Sequence, residues 1–172
     1  SSGNIKLEFM NLNLNELVQQ VNGEFAERFE GRNLDLICIL QPEPLLIRAD
    51  SRRIWRVLEN LYVNVCKYAM PGTRVYVDAI KKDGKIQLSI KNISENPLNF
   101  QADELTERFI RGDVSRSTEG SGLGLSIAKN LTVLQHGSFN IYLDGDLFKV
   151  TITFDEAVKE KKPMPPMIVP EA

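Results

Sequence analysis

Two Asp-Gly steps, each set between runs that alternate apolar and polar residues, limit this chain more than any other feature. RVYVDAIKK and KIQLSIKNI flank Asp83-Gly84, and SFNIYL and LFKVTITF flank the DGD of residues 144–146. An Asp-Gly pair supplies the left-handed backbone that a tight hairpin turn needs, and alternation leaves each strand with one apolar face. The chain must therefore build antiparallel sheet and cover one side of it.

The cover is written at helical spacing. Leu14, Leu17, Val18, Val21, Phe25 and Phe29 mark a helix over 13–30, with Gly31 as its stop. Ile54, Val57, Leu58, Leu61 and Val65 mark a second over 51–69, capped by Asp50 or Ser51 and ended before Pro71-Gly72. A third is expected over 122–136, closed by His136-Gly137. LDLICIL (34–40) and PLLIRAD (44–50) read as a pair of strands joined by a turn at QPEP. The fold class is α+β: a two-layer sandwich whose mixed, mostly antiparallel sheet is covered on one face by helices.

At 172 residues and 42% apolar content, one domain is expected. Its bounds are read as 13–154, with 1–12 a junction to something preceding and the charged, proline-rich 155–172 a disordered tail. The opening SSGN lacks a methionine, as in a piece cut from a longer protein. Basic and acidic residues nearly balance, 21 against 23, and no basic block tracks a nucleic-acid backbone, so no nucleic-acid partner is expected. No apolar run reaches the ~20 residues of a spanning helix, and no secretory leader opens the chain. Two cysteines, Cys38 and Cys66, are too few for a disulfide framework and fit a reducing, cytosolic setting. Residues 94–119 are polar and weakly periodic, and a connection of that length reads as a functional lid.

Chemistry concentrates in two stretches. EGSGLGLSIAK (119–129) places Gly120, Gly122 and Gly124 where a helix begins, in neither P-loop nor dinucleotide spacing. Bare backbone at a helix start offers amide hydrogens to an anion, although a hinge leading into a core helix has the same pattern. On helix 51–69, Asn60, Asn64, Lys67 and Tyr68 share one face, about 100° round from the apolar stripe. An Asn oxygen can ligate Mg²⁺ beside phosphate oxygens, a Lys can neutralise phosphate, and a Tyr ring can lie on a base or sugar. An ordinary solvated helix face remains the plain alternative.

RVLENLYVNVCKYA (56–69) resembles the N box of bacterial sensor histidine kinases, and LTERFIRGD (105–113) with EGSGLGLSIAKNL (119–131) resembles their F box and second glycine box. The likeness runs in order over residues 12–154 and implies a catalytic ATP-binding domain of the GHKL type. It implies that Asn64 ligates Mg²⁺, that Asn60 assists through phosphate or metal-bound water, that Lys67 meets phosphate and that Tyr68 packs near the adenosine. Arg108 and Arg111 match basic lid positions near the phosphates. Gly120, Gly122 and Gly124, with Ser121, Leu123 and Leu125 between and after them, match the loop that wraps the triphosphate. In the GHKL ATPases and serine kinases a glutamate stands where Asn60 stands here, and an amide cannot take a proton. That favours transfer to an imidazole over hydrolysis. Glu59, one residue away, is turned about 100° from that face.

One segment departs from the family: KNISENPLNF, where a first glycine box is expected, has no glycine. Asn92 occupies the position of the adenine-reading Asp, and its amide can accept from an adenine amino group while donating to a ring nitrogen. Glu95, Asn96 and Pro97 make a stiffer turn, which leaves weaker ATP binding or another purine open. The acceptor histidine is absent, since the sole histidine, His136, sits at a helix end where it serves the last carbonyls. The resemblance thus implies a kinase that forms a homodimer only at full length, through a dimerisation and phosphoacceptor segment outside this chain. It also implies a response regulator as partner, and a place at the cytoplasmic end of a bacterial plasma-membrane receptor. The rival readings are a degenerate binding module with impaired ATP binding and a stand-alone ATPase.

Overall fold

The computed structural model describes residues 6–98 and 123–158. The elements are β1 (Phe9–Asn13), α1 (Leu14–Gly31), β2 (Asp35–Leu40), β3 (Leu46–Asp50), α2 (Ser51–Tyr68), β4 (Arg74–Lys82), β5 (Lys85–Ile93), α3 (Leu123–Leu134), β6 (Ser138–Asp144) and β7 (Leu147–Asp155). The main sheet has the order β2-β4-β5-β7-β6, with β2 parallel to β4 and the other pairs antiparallel. Both hairpins form where the Asp-Gly steps stand. Asp83 and Gly84 take φ of 53° and 74°, and Gly145 takes 58°, the left-handed backbone such turns require.

Alternation decides which face is covered. Val75, Val77 and Ala79 of β4, Ile86, Leu88 and Ile90 of β5, and Phe148, Val150, Ile152 and Phe154 of β7 all point into the core. They meet Val18 and Phe25 of α1, Val57 and Leu61 of α2, and Leu125 and Ala128 of α3. Burying each large aliphatic or aromatic side chain contributes about 1.5–3 kcal/mol. The opposite face carries Ser89 and Thr151, joined by a hydroxyl hydrogen bond of 3.1 Å, and leaves Tyr142 exposed. Tyr62 fastens α1 to α2: its ring stacks on Phe29 at 5.7 Å and meets Phe25 edge-on at 5.4 Å, while its hydroxyl donates to Asn22 Oδ1.

Three expectations need correction. β2 and β3 do not pair. β3 instead joins β1 in a separate antiparallel ribbon, Phe9 opposite Asp50 and Asn13 opposite Leu46. Asn15 Nδ2 donates to the carbonyls of Gln41 and Glu43, both at 3.0 Å, and Pro42 and Pro44 have no N–H to close a turn, so QPEP crosses between sheets. The segment taken as a junction therefore belongs to the fold from Phe9. At the other end, Ala157 is buried and its N–H donates to Leu46 O at 2.8 Å, while Glu156 bridges Ile47. Packing thus runs past residue 154; residues 159–172 lie outside those described. Gly31 is the last residue of α1 rather than its stop, and Asn33 takes the left-handed turn at φ 53°.

α3 ends with His136 in the left-handed region, φ 69°, and Gly137 N–H donating to Thr132 O at 2.9 Å. The imidazole stacks on Phe9 of β1 at 5.6 Å, a structural place. Gly137 is needed for space: a methyl there would lie 2.7 Å from the Phe154 ring and 2.9 Å from Thr132 Cγ2. Gly137→Ala should therefore destabilise the fold by about 1–3 kcal/mol, read as a lower midpoint in urea with an unchanged slope.

Candidate functional site

The orientation of α2 starts at its cap. Asp50 Oδ1 accepts from Arg52 N–H at 3.0 Å and Arg53 N–H at 3.1 Å, and Oδ2 accepts from Glu8 N–H at 2.8 Å. Asp50's own N–H donates to Gln135 Oε1 at 2.9 Å, which brings in the C-terminus of α3. Burial pushes the carboxyl's pKa up, but the N–H donors of Glu8, Arg53 and Arg52 and the Arg53 guanidinium outweigh it, leaving Asp50 below its ordinary value.

With α2 fixed this way, Glu59 faces solvent, Asn60 is half-buried and Asn64 is buried. Asn60 Nδ2 donates to Arg56 O at 2.9 Å, so its oxygen is the atom left to present. Lys67 is exposed and Tyr68 half-buried at the helix end. Gly124 of α3 faces Asn60: a methyl on it would lie 3.8 Å from Asn60 Oδ1, ordinary contact distance. Leu125 packs into the core behind it. Leu123 begins α3, and Arg108, Arg111, Gly120, Ser121 and Gly122 lie outside the described residues.

Asn64 shares a cleft with Asn92 of β5. The other walls are apolar, Leu61, Val65, Ile90, Phe148 and Val150, and they close to a gap too small to hold a water molecule. Asn92 is 3% exposed, and its Oδ1 is buried without a hydrogen-bond partner. A larger hollow of about 420 Å³ lies beside β1, between Phe9, Arg48 and Val158, but no such orphaned atom lines it. A buried polar atom left unpaired costs stability; Asn15 Oδ1 and Arg32 Nε are the other such atoms among the described residues.

The glycine-free segment after β5 is held at several points. Met70 N–H donates to Ile93 O, Glu95 N–H to Tyr68 O and Ser94 N–H to Asp146 O, at 2.8, 2.8 and 2.7 Å. Ser94 Oγ also donates to Asn96 O at 2.6 Å. Arg32, at the end of α1, donates to Ala69 O at 2.9 Å and pairs with Glu95 at 3.5 Å. Reading the sequence singles out neither Arg32 nor Ser94, because their partners come from three distant elements. The Cys66 thiol is buried and Cys38 half-buried, and burial pushes both pKa values up.

Residues 49–158 match the family described as histidine kinase-, DNA gyrase B-, and HSP90-like ATPase. The chain belongs to that family. Signal transduction histidine-protein kinase BaeS of Escherichia coli (strain K12) is 31% identical over 123 residues, 70% of this chain and 26% of BaeS. The catalytic domain of histidine kinase ThkA aligns with a TM-score of 0.76 at 26% identity, over 87% of this chain and 97% of that one. ThkA in complex with response regulator protein TrrA aligns at 0.70 and 26%, over 88% and 42%. Within the family the chain is an ATP-binding domain of the histidine-kinase catalytic type. It spans between 22% and 38% of the first curated relatives it matches. Among the described residues, no helix is long and apolar enough to cross a membrane.

The cap gives the fold a signed pH dependence. Because the folded pKa of Asp50 is depressed, its contribution is complete above the unfolded value of about 3.9 and is lost as pH falls through the folded one. Asp50→Asn, which removes the carboxylate's charge-assisted bonds to Glu8, Arg52 and Arg53, should lose about 1–2 kcal/mol near neutrality, and the gap to the unaltered chain should close as pH falls below about 4 in urea titrations repeated across pH.

Proposed function

We propose that this chain binds ATP with Mg²⁺ against α2 and delivers the γ-phosphoryl group to a histidine on a dimerisation segment elsewhere in a longer sensor kinase. The observation that carries the reading is the orphaned Asn92 oxygen in the same cleft as Asn64. An amide oxygen can accept from the amino group of a purine.

Asn64 would hold Mg²⁺ through its amide oxygen, with Asn60 beside it meeting phosphate or metal-bound water. Among the described residues no group of three or more His, Cys, Asp or Glu side chains comes together, so the cation would take most ligands from phosphates and water. When bound, the cation neutralises charge on the phosphates. Lys67 adds a positive charge at the open end of the helix, and Tyr68 offers a ring to the adenosine. By their match to the family's lid and glycine-loop positions, Arg108 and Arg111 would meet the phosphates, and the backbone from Gly120 through Ser121, Gly122, Leu123 and Gly124 to Leu125 would wrap them.

Position 60 carries an amide and Glu59 points to solvent, so no carboxylate on this face of α2 can deprotonate water. A neutral imidazole needs no such base: its nitrogen bonds to the γ-phosphorus as the bond to the ADP oxygen breaks. Positioning and charge neutralisation carry the catalysis. In this reading the full-length protein is a homodimer on the cytoplasmic side of the membrane and passes the phosphoryl group to a response regulator, as the ThkA–TrrA complex suggests.

Calorimetric titration with a non-hydrolysable ATP analogue, with and without Mg²⁺, tests the site. Binding should require Mg²⁺ for full strength and weaken about tenfold or more in Asn64→Ala. Gly124→Ala should melt like the unaltered chain, because its methyl meets only ordinary contacts, so any weakening there reports the ligand. Adding the acceptor segment in trans should give phosphohistidine, and the chain alone should release no steady phosphate. Absence of binding at millimolar nucleotide, or binding indifferent to Asn64→Ala, would falsify the proposal.

A further inference from the structure

We infer that the uncovered face of the main sheet is a docking surface for an acidic segment of a partner protein, seated across the strands on Lys91 and Lys149. The register lays one row of side chains straight across the sheet. Ile37 of β2 stands opposite Tyr76 of β4, Tyr76 opposite Lys91 of β5, Lys91 opposite Lys149 of β7, and Lys149 opposite Tyr142 of β6. These residues point away from the helices, because their neighbours in sequence, Val75, Val77, Ile90 and Val150 among them, point into the core. The row is about 19 Å long, four strand spacings.

Two lysines directly opposite each other repel, and such a pair is destabilising in a sheet. The ion pairs of the described residues are Arg32 with Glu95, Arg53 with Asp50, Lys81 with Glu156 and Lys85 with Asp155, and neither Lys91 nor Lys149 is in one. Asp78 and Asp144 stand diagonally from them in the register without pairing. Lys91 lies over the Tyr76 ring at 5.5 Å, and both lysines are half-buried. The row therefore holds two positive charges side by side, and a carboxylate laid between them relieves the repulsion that the fold alone carries.

Charge and shape select the occupant. Toward β2 the face is apolar, with Ile39 63% and Ile80 37% exposed, and at the other end the Tyr142 ring is 55% exposed. Exposed apolar side chains beside unpaired cations suit a protein segment with carboxylates at its centre and an apolar residue at one end. A nucleic-acid strand fits less well. It brings a charge at every nucleotide, Asp35, Asp78 and Asp144 border the row, and the Tyr76 ring already faces an ammonium instead of a base. The chain's own continuation after Val158 is also unsuited, since it opens with Lys159, Lys161 and Lys162. The face lies across the sheet from α2, so a partner docked there leaves the α2 site open.

NMR titration of the isotopically labelled chain with a peptide of about six residues, glutamates followed by leucines, tests the surface. At millimolar peptide the shifted amides should cluster on β4, β5 and β7 around Tyr76, Lys91 and Lys149, and raising salt from about 0.05 to about 0.5 M should weaken the binding. Lys91→Thr and Lys149→Thr should each weaken it about two- to fivefold, and Lys149→Glu should abolish it. Because removing one lysine relieves repulsion within the sheet, Lys149→Thr should keep or raise the midpoint in urea. A lowered midpoint would mean that the pair serves the sheet itself and would overturn the inference. Shifts that lie elsewhere, that persist in Lys149→Glu or that fail to appear would overturn it too. Tighter binding of a thymidine oligonucleotide on the same residues would overturn it in favour of nucleic acid, and concentration-dependent shifts without peptide would overturn it in favour of a second copy of the chain.

Discussion

Asp50 ties four elements at one point: it ends β3, its carboxylate caps α2 and takes the Glu8 N–H at the entrance to β1, and its own N–H donates to Gln135 Oε1 at the end of α3. A cap fixes the start of a helix and therefore its rotation about its axis. One residue of rotation is about 100°, enough to replace the Asn60 and Asn64 face with that of Glu59. The polar face of α2 meets Gly124 and the end of β5 because this cap and the apolar stripe agree on the same rotation. Gln135 is buried for the same reason: both its amide atoms are used, and the bond to Asp50 N–H joins two helices that border the site.

What was legible in the sequence is what local chemistry decides. Asp83-Gly84 turns because its backbone is left-handed, and Val75, Val77 and Ala79 face the helices because strands alternate. The helices follow from residues three and four apart on one stripe. The pairing of β1 with β3 was not legible, because the alternation in FMNLN spans only Met10–Asn13 and its partner is chosen by tertiary position. The same holds for β2. Its apolar run suits either a hairpin or a parallel edge, and the Asn15 bonds to Gln41 and Glu43 settle the choice from another element. Of the site, the α2 face could be read from spacing, whereas the joining of Asn64 with Asn92 needed the sheet register.

The segment after β5 shows how a stiff turn can stand where a flexible one is the family habit. Ile93, Ser94 and Glu95 are bonded to the end of α2 and to the β6–β7 turn, so the floor of the cleft is preorganised. Preorganisation lowers the ordering cost of binding.

Asn60, Asn64 and Asn92 are all amides, and amides do not titrate. A polyphosphate approaching them meets no fixed negative charge, and no carboxylate has to be desolvated in the apolar cleft. Sensitivity to pH is thereby displaced from the site to the scaffold. Acidification reaches α2 through Asp50, whose depressed pKa places the loss of the cap below the ordinary carboxylate range.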